Sequence, residues 1–477
     1  VFYRGKPAFW AVAKGHQTDL GGAGVAGYNP QAKTVWEEGL RLPPIKLYSK
    51  GEYQRDLWDF ILLNVKSRDL VEGDLHCQIG ATARGEEALI ELMDRHGADA
   101  VGAAIEAYLA ATEKSMAAAI KKIPDGVYRG ESFLDNDGID METAPGIRVT
   151  VKVEDEKLTF DFAGSDPQTR GFVNSPFANT ASVCFQALFA CIGASIPINF
   201  GSLRPIRIVA PEGSIVNCRP PAPTTASTLV TCAAIAEAIW IALADAIPSQ
   251  TQSGWGRRCA PMSAGTNPRT GRAFVCTHHN CKGGSGATEG YDGWNHTGPV
   301  SNMGGSRATD PEIFELAYPY RLFEYELAPD TGGSGQWRGG TGAVLRWRVE
   351  SPNVQCVTVG SGMLEKTRAF GLFGGKPGSL PIMRIVGSDG SVRKLPLNEF
   401  SEVKEGDVFE LVSQGGGGFG DPFMRSAERV RDDVANGLVS IEKAAQEYGV
   451  VVERRGREIV IDRDATASVR AAHRKTS

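Results

Sequence analysis

Hydrophobic positions along the chain change their period from one stretch to the next. Between Tyr53 and Lys122 they recur at three and four residues. Val101, Ile105, Tyr108, Leu109, Thr112, Met116 and Ile120 form one apolar stripe, as a helix with a single buried face requires. Leu89, Leu92 and Met93 repeat this one helix earlier, with Gly97 as a natural stop. Pro124-Asp125-Gly126 breaks the pattern, and residues 127–168 alternate with period two, which predicts strands. Near-continuous apolar runs at Pro176–Ile192 and Thr228–Ala246 predict two buried helices, with a strand at Arg204–Val209 between them. From about Asn267 to Leu411 the chain is Gly-rich with short β patterns, clearest at Val344–Val349 and Cys356–Val359. Helix returns over Ser426–Tyr448, followed by a short strand at Glu458–Ile461. The opening residues predict a strand end, a Lys6-Pro7 turn and a strand over Ala8–Ala13, leading into the loop Gly15–Gly22. A chain that starts in mid-hairpin is expected to be part of a longer one.

The predicted class is therefore α+β, mixed, with mostly antiparallel sheets, a helical segment at about 53–122 and a Gly-rich β region in the C-terminal half. It divides into residues 1–125 (metal-loop strands and helical segment), 126–266 (an α/β middle region), 267–424 (the Gly-rich β region) and 425–477 (C-terminal helix and tail). No period of about 20–50 residues repeats, which excludes solenoids and propellers.

Composition narrows the function. Lys and Arg number 51 against 56 Asp and Glu, a net charge of −5, so no basic excess exists to neutralise a nucleic-acid backbone. Both apolar runs carry residues costly in a bilayer, Gln186 in one and Glu237 and Asp245 in the other, so no membrane span is expected. Nine cysteines at irregular spacing fit reduced thiols and a cytoplasmic location. Glycine is unusual, 57 of 477 residues or about 12%, against ~7% in an ordinary chain. That excess predicts tight turns and close backbone approaches.

Several motifs suggest chemistry. Gly22/Gly24/Gly27 and Gly415/Gly417/Gly420 match G-x-G-x-x-G, but neither leads from a strand into a helix, and Pro30 and Pro422 follow closely. Close packing explains them better than a phosphate loop. Cys276-Thr277-His278-His279-Asn280-Cys281 carries zinc-type ligands, yet on a strand the two histidines would point to opposite faces. His16-x-x-Asp19 before Gly21-Gly22 places an imidazole and a carboxylate on one turn, where both could face a divalent cation. Asp74 reads as the N-cap of a helix that carries Gln78 in its first turns. No G-x-S-x-G elbow is present.

Taken together, strings in order along nearly the whole chain resemble the hydantoinase B/5-oxoprolinase B family, which includes N-methylhydantoinase B and the alpha-type subunits of acetone and acetophenone carboxylases. They are Gly15–Gly22, Glu38-Gly39-Leu40-Arg41-Leu42-Pro43-Pro44, Gly73-Asp74-Leu75 with Gln78, Val173-Asn174-Ser175-Pro176, Asn199–Ile206, Pro329–Gly335, Arg338-Gly339-Gly340 and Gly415–Pro422. The resemblance implies the B-type subunit of an ATP-dependent cyclic-amide hydrolase in a hetero-oligomer. ATP would be used by an A-type partner subunit of actin-like ATPase fold, which phosphorylates the substrate. It further implies a divalent metal (Zn, Mn or Fe), with His16 and Asp19 as ligands and further His and Asp ligands upstream of Val1. Asp74 and Gln78 fall in a matched motif and are assigned as catalytic-pocket residues, and Asn174 and Arg204 as substrate contacts. Hydrolase members carry a second histidine where this chain has Gln17, which leaves a ketone carboxylase subunit as the alternative; a non-catalytic scaffold subunit is another.

Overall fold

The computed structural model describes residues 1–17, 19–24, 27–278, 280–302 and 307–476. Its helical segment comprises α1 (Arg55–Leu63), α2 (Arg68–His96) and α3 (Ala98–Ile120). Gly97, at φ +83°, separates α2 from α3 in a positive-φ conformation that glycine adopts without a Cβ penalty. In α3 the buried face is Val101, Thr112, Met116 and Ile120, while Tyr108 is exposed. The expected strand at 8–13 does not form. The chain makes only a two-residue ribbon, Phe2–Tyr3 with Lys6–Pro7, before running irregularly to the Gly15–Gly22 loop.

Strands β1 (Gly126–Phe133), β2 (Gly146–Glu154), β3 (Lys157–Asp161) and, beyond α4 (Phe177–Ile192), β4 (Ile206–Val209) form one sheet in that order. Every pair is antiparallel except β3 with β4. Ile147, Val149, Val151 and Val153 alternate onto its buried face, where α5 (Cys232–Leu243) lies. The approach is so close that a Cβ on Gly130 would stand 2.0 Å from the Ala238 carbonyl. Glu237, the one charge in α5, is paired inside the protein: Arg257 Nε donates to it at 3.1 Å and the Ser132 hydroxyl at 2.9 Å. A charge that would be costly in lipid is thus satisfied in the core.

Two further antiparallel sheets follow. One runs β6 (Arg272–Cys276), β5 (Cys259–Asn267), β9 (Val354–Gly360), β12 (Phe400–Val403); the other β7 (Tyr320–Leu327), β8 (Ala343–Val349), β13 (Val408–Val412), β10 (Ile382–Val386), β11 (Val392–Lys394). Cys259, Phe274, Tyr320, Leu345, Trp347 and Phe409 form the core between them. The first sheet's core extends through Met262, Val357 and Val359 into the second sheet. Asp135 joins the two, its carboxylate accepting from Ser361 Oγ at 2.6 Å, the amides of Gly362, Met363 and Leu364, and Thr367 Oγ1. The C-terminal tail is two helices, α6 (Ala427–Ala435) and α7 (Ile441–Tyr448), a hairpin of β14 (Val452–Arg455) and β15 (Glu458–Ile461), and α8 (Arg463–Thr476).

Much of the Gly-rich region is extended without being strand. Gly416 donates to the Gly340 carbonyl, Gly417 to Gly254 and Gly418 to Lys376, so three successive residues bond in three different directions. Three bonding directions on successive residues are what an extended segment with about three residues per turn makes when neighbours surround it on every side. A Cβ on Gly416 would fall 1.9 Å from the Ser285 carbonyl oxygen and one on Gly417 1.8 Å from that of Phe370. The contacts are backbone against backbone, so no side chain can be accommodated by a rotamer change.

Gly417→Ala should therefore unfold the protein or cost more than the ~1–3 kcal/mol typical of overpacking. Gly102→Ala, on α3 with open space around its Cβ position, should stabilise by ~0.5–1 kcal/mol. Urea unfolding curves of both variants give the comparison.

Candidate functional site

The Gly15–Gly22 loop, the Glu38–Leu40 segment and the Thr224–Thr228 turn converge on a cavity of about 290 Å³. His16 is exposed on its wall, beside Gln17, Tyr28, Glu38 and Thr225. Glu38 is half-buried, and its carboxylate accepts the Thr224 amide at 2.8 Å and the Thr225 amide at 2.7 Å. Burial raises its pKa above the ordinary glutamate value, and the bonds from Thr225 and Thr224 offset part of that rise. Burial also pushes Tyr28 up to about 12, so the phenol keeps its proton and can donate. Arg258, buried with the Thr277 carbonyl as an acceptor at 2.6 Å, lies close enough to Tyr28 to oppose that rise.

The residues anticipated from the sequence separate into three groups. Gln78 reaches the His16 loop: its carboxamide nitrogen lies 1.9 Å from where a Cβ on Gly15 would stand. Asp74 lies one turn earlier, exposed and well inside α2; Ser67 occupies the N-cap position, so the expected capping role of Asp74 does not hold. Asp19 is buried and faces away from the cavity. It accepts from the amides of Gly21 (2.9 Å), Lys66 and Ser67 (2.8 Å), tying the loop to the start of α2.

Asn174 is fully buried, and its amide is saturated by backbone: Thr169 N at 2.7 Å, and the carbonyls of Thr169, Gly171 and Pro223. Its bond to Pro223 secures the residue before Thr224, so Asn174 shapes the cavity wall from behind. Arg204 pairs with Glu113 at 3.1 Å on α3 and reaches Glu106 at 3.9 Å. It is not among the residues lining the cavity.

Among the described residues, no three His, Cys, Asp or Glu side chains come together as a cation site. With Asp19 engaged by three backbone amides and Glu38 by two, the side chains present do not amount to a metal centre. The Cys/His string does not form one either. His278 bonds Ser263 at 2.7 Å and stacks on Trp347 at 4.8 Å, and His279 lies outside the described residues. The sequence reading overlooked Glu38, although it heads one of the matched strings. Its use shows only when Thr224 and Thr225, 186 and 187 residues away, supply the amides that hold it.

A half-buried carboxylate, an imidazole and a protonated phenol around one small cavity describe a chain equipped for acid–base work on a small molecule. The profile of the hydantoinase B/oxoprolinase family matches residues 1–422, and the chain belongs to that family. It is 35% identical to the beta subunit of the caprolactamase of Pseudomonas jessenii, over 99% of this chain and 81% of the relative. It is 32% identical to the B-type subunit of a putative D-/L-hydantoinase of Pseudomonas sp. (strain NS671), over 95% and 77%. The crystal structure of the ATP-dependent caprolactamase from Pseudomonas jessenii superposes with a TM-score of 0.90 at 34% identity, covering 99% of this chain and 81% of that one. A nucleotide-free acetone carboxylase shares the fold, with a TM-score of 0.84 at 20% identity over 97% and 67%. No described helix is long and apolar enough to cross a membrane.

The roles of Asp19 and His16 predict unequal effects on stability. Asp19→Ala leaves three backbone amides without their acceptor and should cost roughly 2–4 kcal/mol of unfolding free energy. His16→Ala, at an exposed position, should stay within about 0.5 kcal/mol of the parent. Chemical denaturation of both variants measures the difference.

Proposed function

We propose that this chain is the B-type catalytic subunit of a cytoplasmic, ATP-dependent cyclic-amide hydrolase. It acts on a substrate activated by an A-type ATPase partner. The observation that carries the reading is the Glu38 carboxylate, held by the Thr224 and Thr225 amides beside His16 in one cavity. The likeness to the caprolactamase beta chain and to a hydantoinase chain of B type supports the substrate class. The carboxylase likeness extends to the fold alone and favours no second chemistry.

A lactam carbonyl is a poor electrophile because nitrogen donates into it. Transfer of the ATP γ-phosphoryl group to its oxygen gives an electron-poor imidate phosphate, and water can then add to carbon. In this cavity Glu38 takes a proton from the attacking water, and its raised pKa makes it a stronger base than an exposed glutamate. The Tyr28 hydroxyl, which keeps its proton, serves as a hydrogen-bond donor to the phosphorylated end of the substrate. Cleavage of the ring C–N bond, with a proton going to nitrogen, leaves an acyl phosphate and an amine; a second water releases phosphate. One cyclic amide, one ATP and two waters thus give one amino acid, ADP and phosphate. Gln78, whose side chain reaches the Gly15 loop, and Asp74, four residues earlier on α2, are assigned to the catalytic pocket in this reading. His16 presents an imidazole to the same cavity.

The full-length chain with its A-type partner should open cyclic amides with ATP and without bicarbonate. A strict bicarbonate requirement with a ketone substrate would overturn the reading. The acid limb of the pH–rate profile should lie above the ordinary glutamate range, since activity falls as pH drops through the raised pKa of Glu38. Glu38→Gln should lower kcat by ~10²–10⁴-fold and abolish that limb.

A further inference from the structure

A second cavity, of about 310 Å³, adjoins the first. The two share Gln17, Leu20 and Leu40, but their linings differ in character. The second is almost wholly apolar, lined by Leu42, Ile45, Ile61, Val65 and Leu75 among others. Its volume is at the small end for ligand pockets. In the common wall, Gln17 Oε1 is buried and has no hydrogen-bond partner among the described residues. Buried carboxamide oxygens seldom lack a partner, because desolvation without a replacement bond is costly. No described residue uses this one: Asp19, two residues on, ties down the loop, and Gln78 already contacts Gly15.

We infer that Gln17 is a substrate-binding residue whose side-chain oxygen accepts the ring N–H of a lactam, with the lactam's methylene ring in the apolar chamber. This rests on the cyclic-amide reading and narrows it. A small lactam has an apolar arc of methylenes and, at one end, a cis amide whose N–H and carbonyl lie on the same edge. With the arc against Ile61, Val65 and Leu75 and the N–H on Gln17, the carbonyl carbon falls at the junction of the chambers, facing the side occupied by Glu38 and His16. The same acceptor then suits the activated substrate, since a proton retained on its nitrogen keeps the carbon electrophilic. Hydantoin and 5-oxoproline carry an additional ring amide or a carboxylate. In the apolar chamber those groups would be buried without partners, so they are disfavoured. The chain is thus assigned to lactams with plain hydrocarbon rings.

Binding tests this independently of turnover. The full-length complex, without ATP, is titrated with ε-caprolactam, N-methylcaprolactam and 5-oxoproline, and saturation-transfer NMR gives each Kd. ε-Caprolactam should bind roughly tenfold tighter than either of the others. Gln17→Leu should erase its advantage over the N-methyl compound, while Gln17→Glu, which keeps an acceptor, should preserve it. An N–H to N-methyl ratio unchanged in Gln17→Leu overturns the role of Gln17, and equal or tighter binding of 5-oxoproline overturns the substrate class. The expected binding pattern in a complex that opens no lactam with ATP would support this assignment while sinking the catalytic reading.

Discussion

Backbone packed directly on backbone is the constraint around which the C-terminal half is built. Segments near 254–256, 283–287, 331–342, 369–378 and 413–420 lie so close that carbonyl oxygens occupy the positions Cβ atoms would take. Glycine is required there by contact, not only by torsion: Gly416 and Gly417 are absent from the positive-φ residues, yet neither has room for a methyl group. Gly416, Gly417 and Gly418 donate to carbonyls of three neighbouring segments, and the Ser253, Thr331, Ser413 and Gln414 side chains add bonds to the backbone of the same bundle. The loss of chain entropy is large for glycine, and it is offset only if the whole bundle forms at once. The strands β8, β9 and β13 enter and leave this bundle, which sets the frame for both C-terminal sheets.

Two buried polar junctions join that frame to the N-terminal half. Arg257 and Glu237 lock α5 to the start of β5, with Ser132 and Ser361 completing the set. Asp135 collects five donors from residues 361–367. Removal of either partner of the ion pair would leave an uncompensated charge in the core, so these residues fix the relative position of the sheets. The turn carrying Thr224 and Thr225 precedes α5 directly, and Asn174 secures it at Pro223. The geometry that holds Glu38 therefore descends from the packing of α5, although no residue of α5 touches the cavity.

The α2–α3 pair was legible because each helix repeats its apolar residues at helical spacing and Gly97 stands between them. The strands of the first sheet were legible because Ile147, Val149, Val151 and Val153 alternate. The Gly-rich region was only half legible. Its β8 and β9 strands show in their side chains, but an extended glycine segment carries no side-chain period to distinguish it from a loop. At the site, the His16 loop and Gln78 could be singled out from matched strings and do meet across Gly15. Asp74 looked like a cap because polar residues near Gly73 mimic a helix start, whereas α2 had begun six residues earlier. Tyr108 looked like core because periodicity cannot show where a neighbouring element stops covering a helix face.

By itself the sequence determined local periods, the excess of glycine, the acidic net charge and, through ordered motifs, the family. Those depend on near neighbours or on composition. Only the tertiary structure decided what each polar group is used for. Asp19 and Asn174 are consumed by backbone donors and acceptors, Glu38 is held by amides far along the chain, and in the wall between the two chambers Gln17 keeps a buried oxygen without a partner. A carboxylate or carboxamide has the same chemistry in any sequence. Whether it binds backbone or remains available to a ligand depends on which distant segment folds against it.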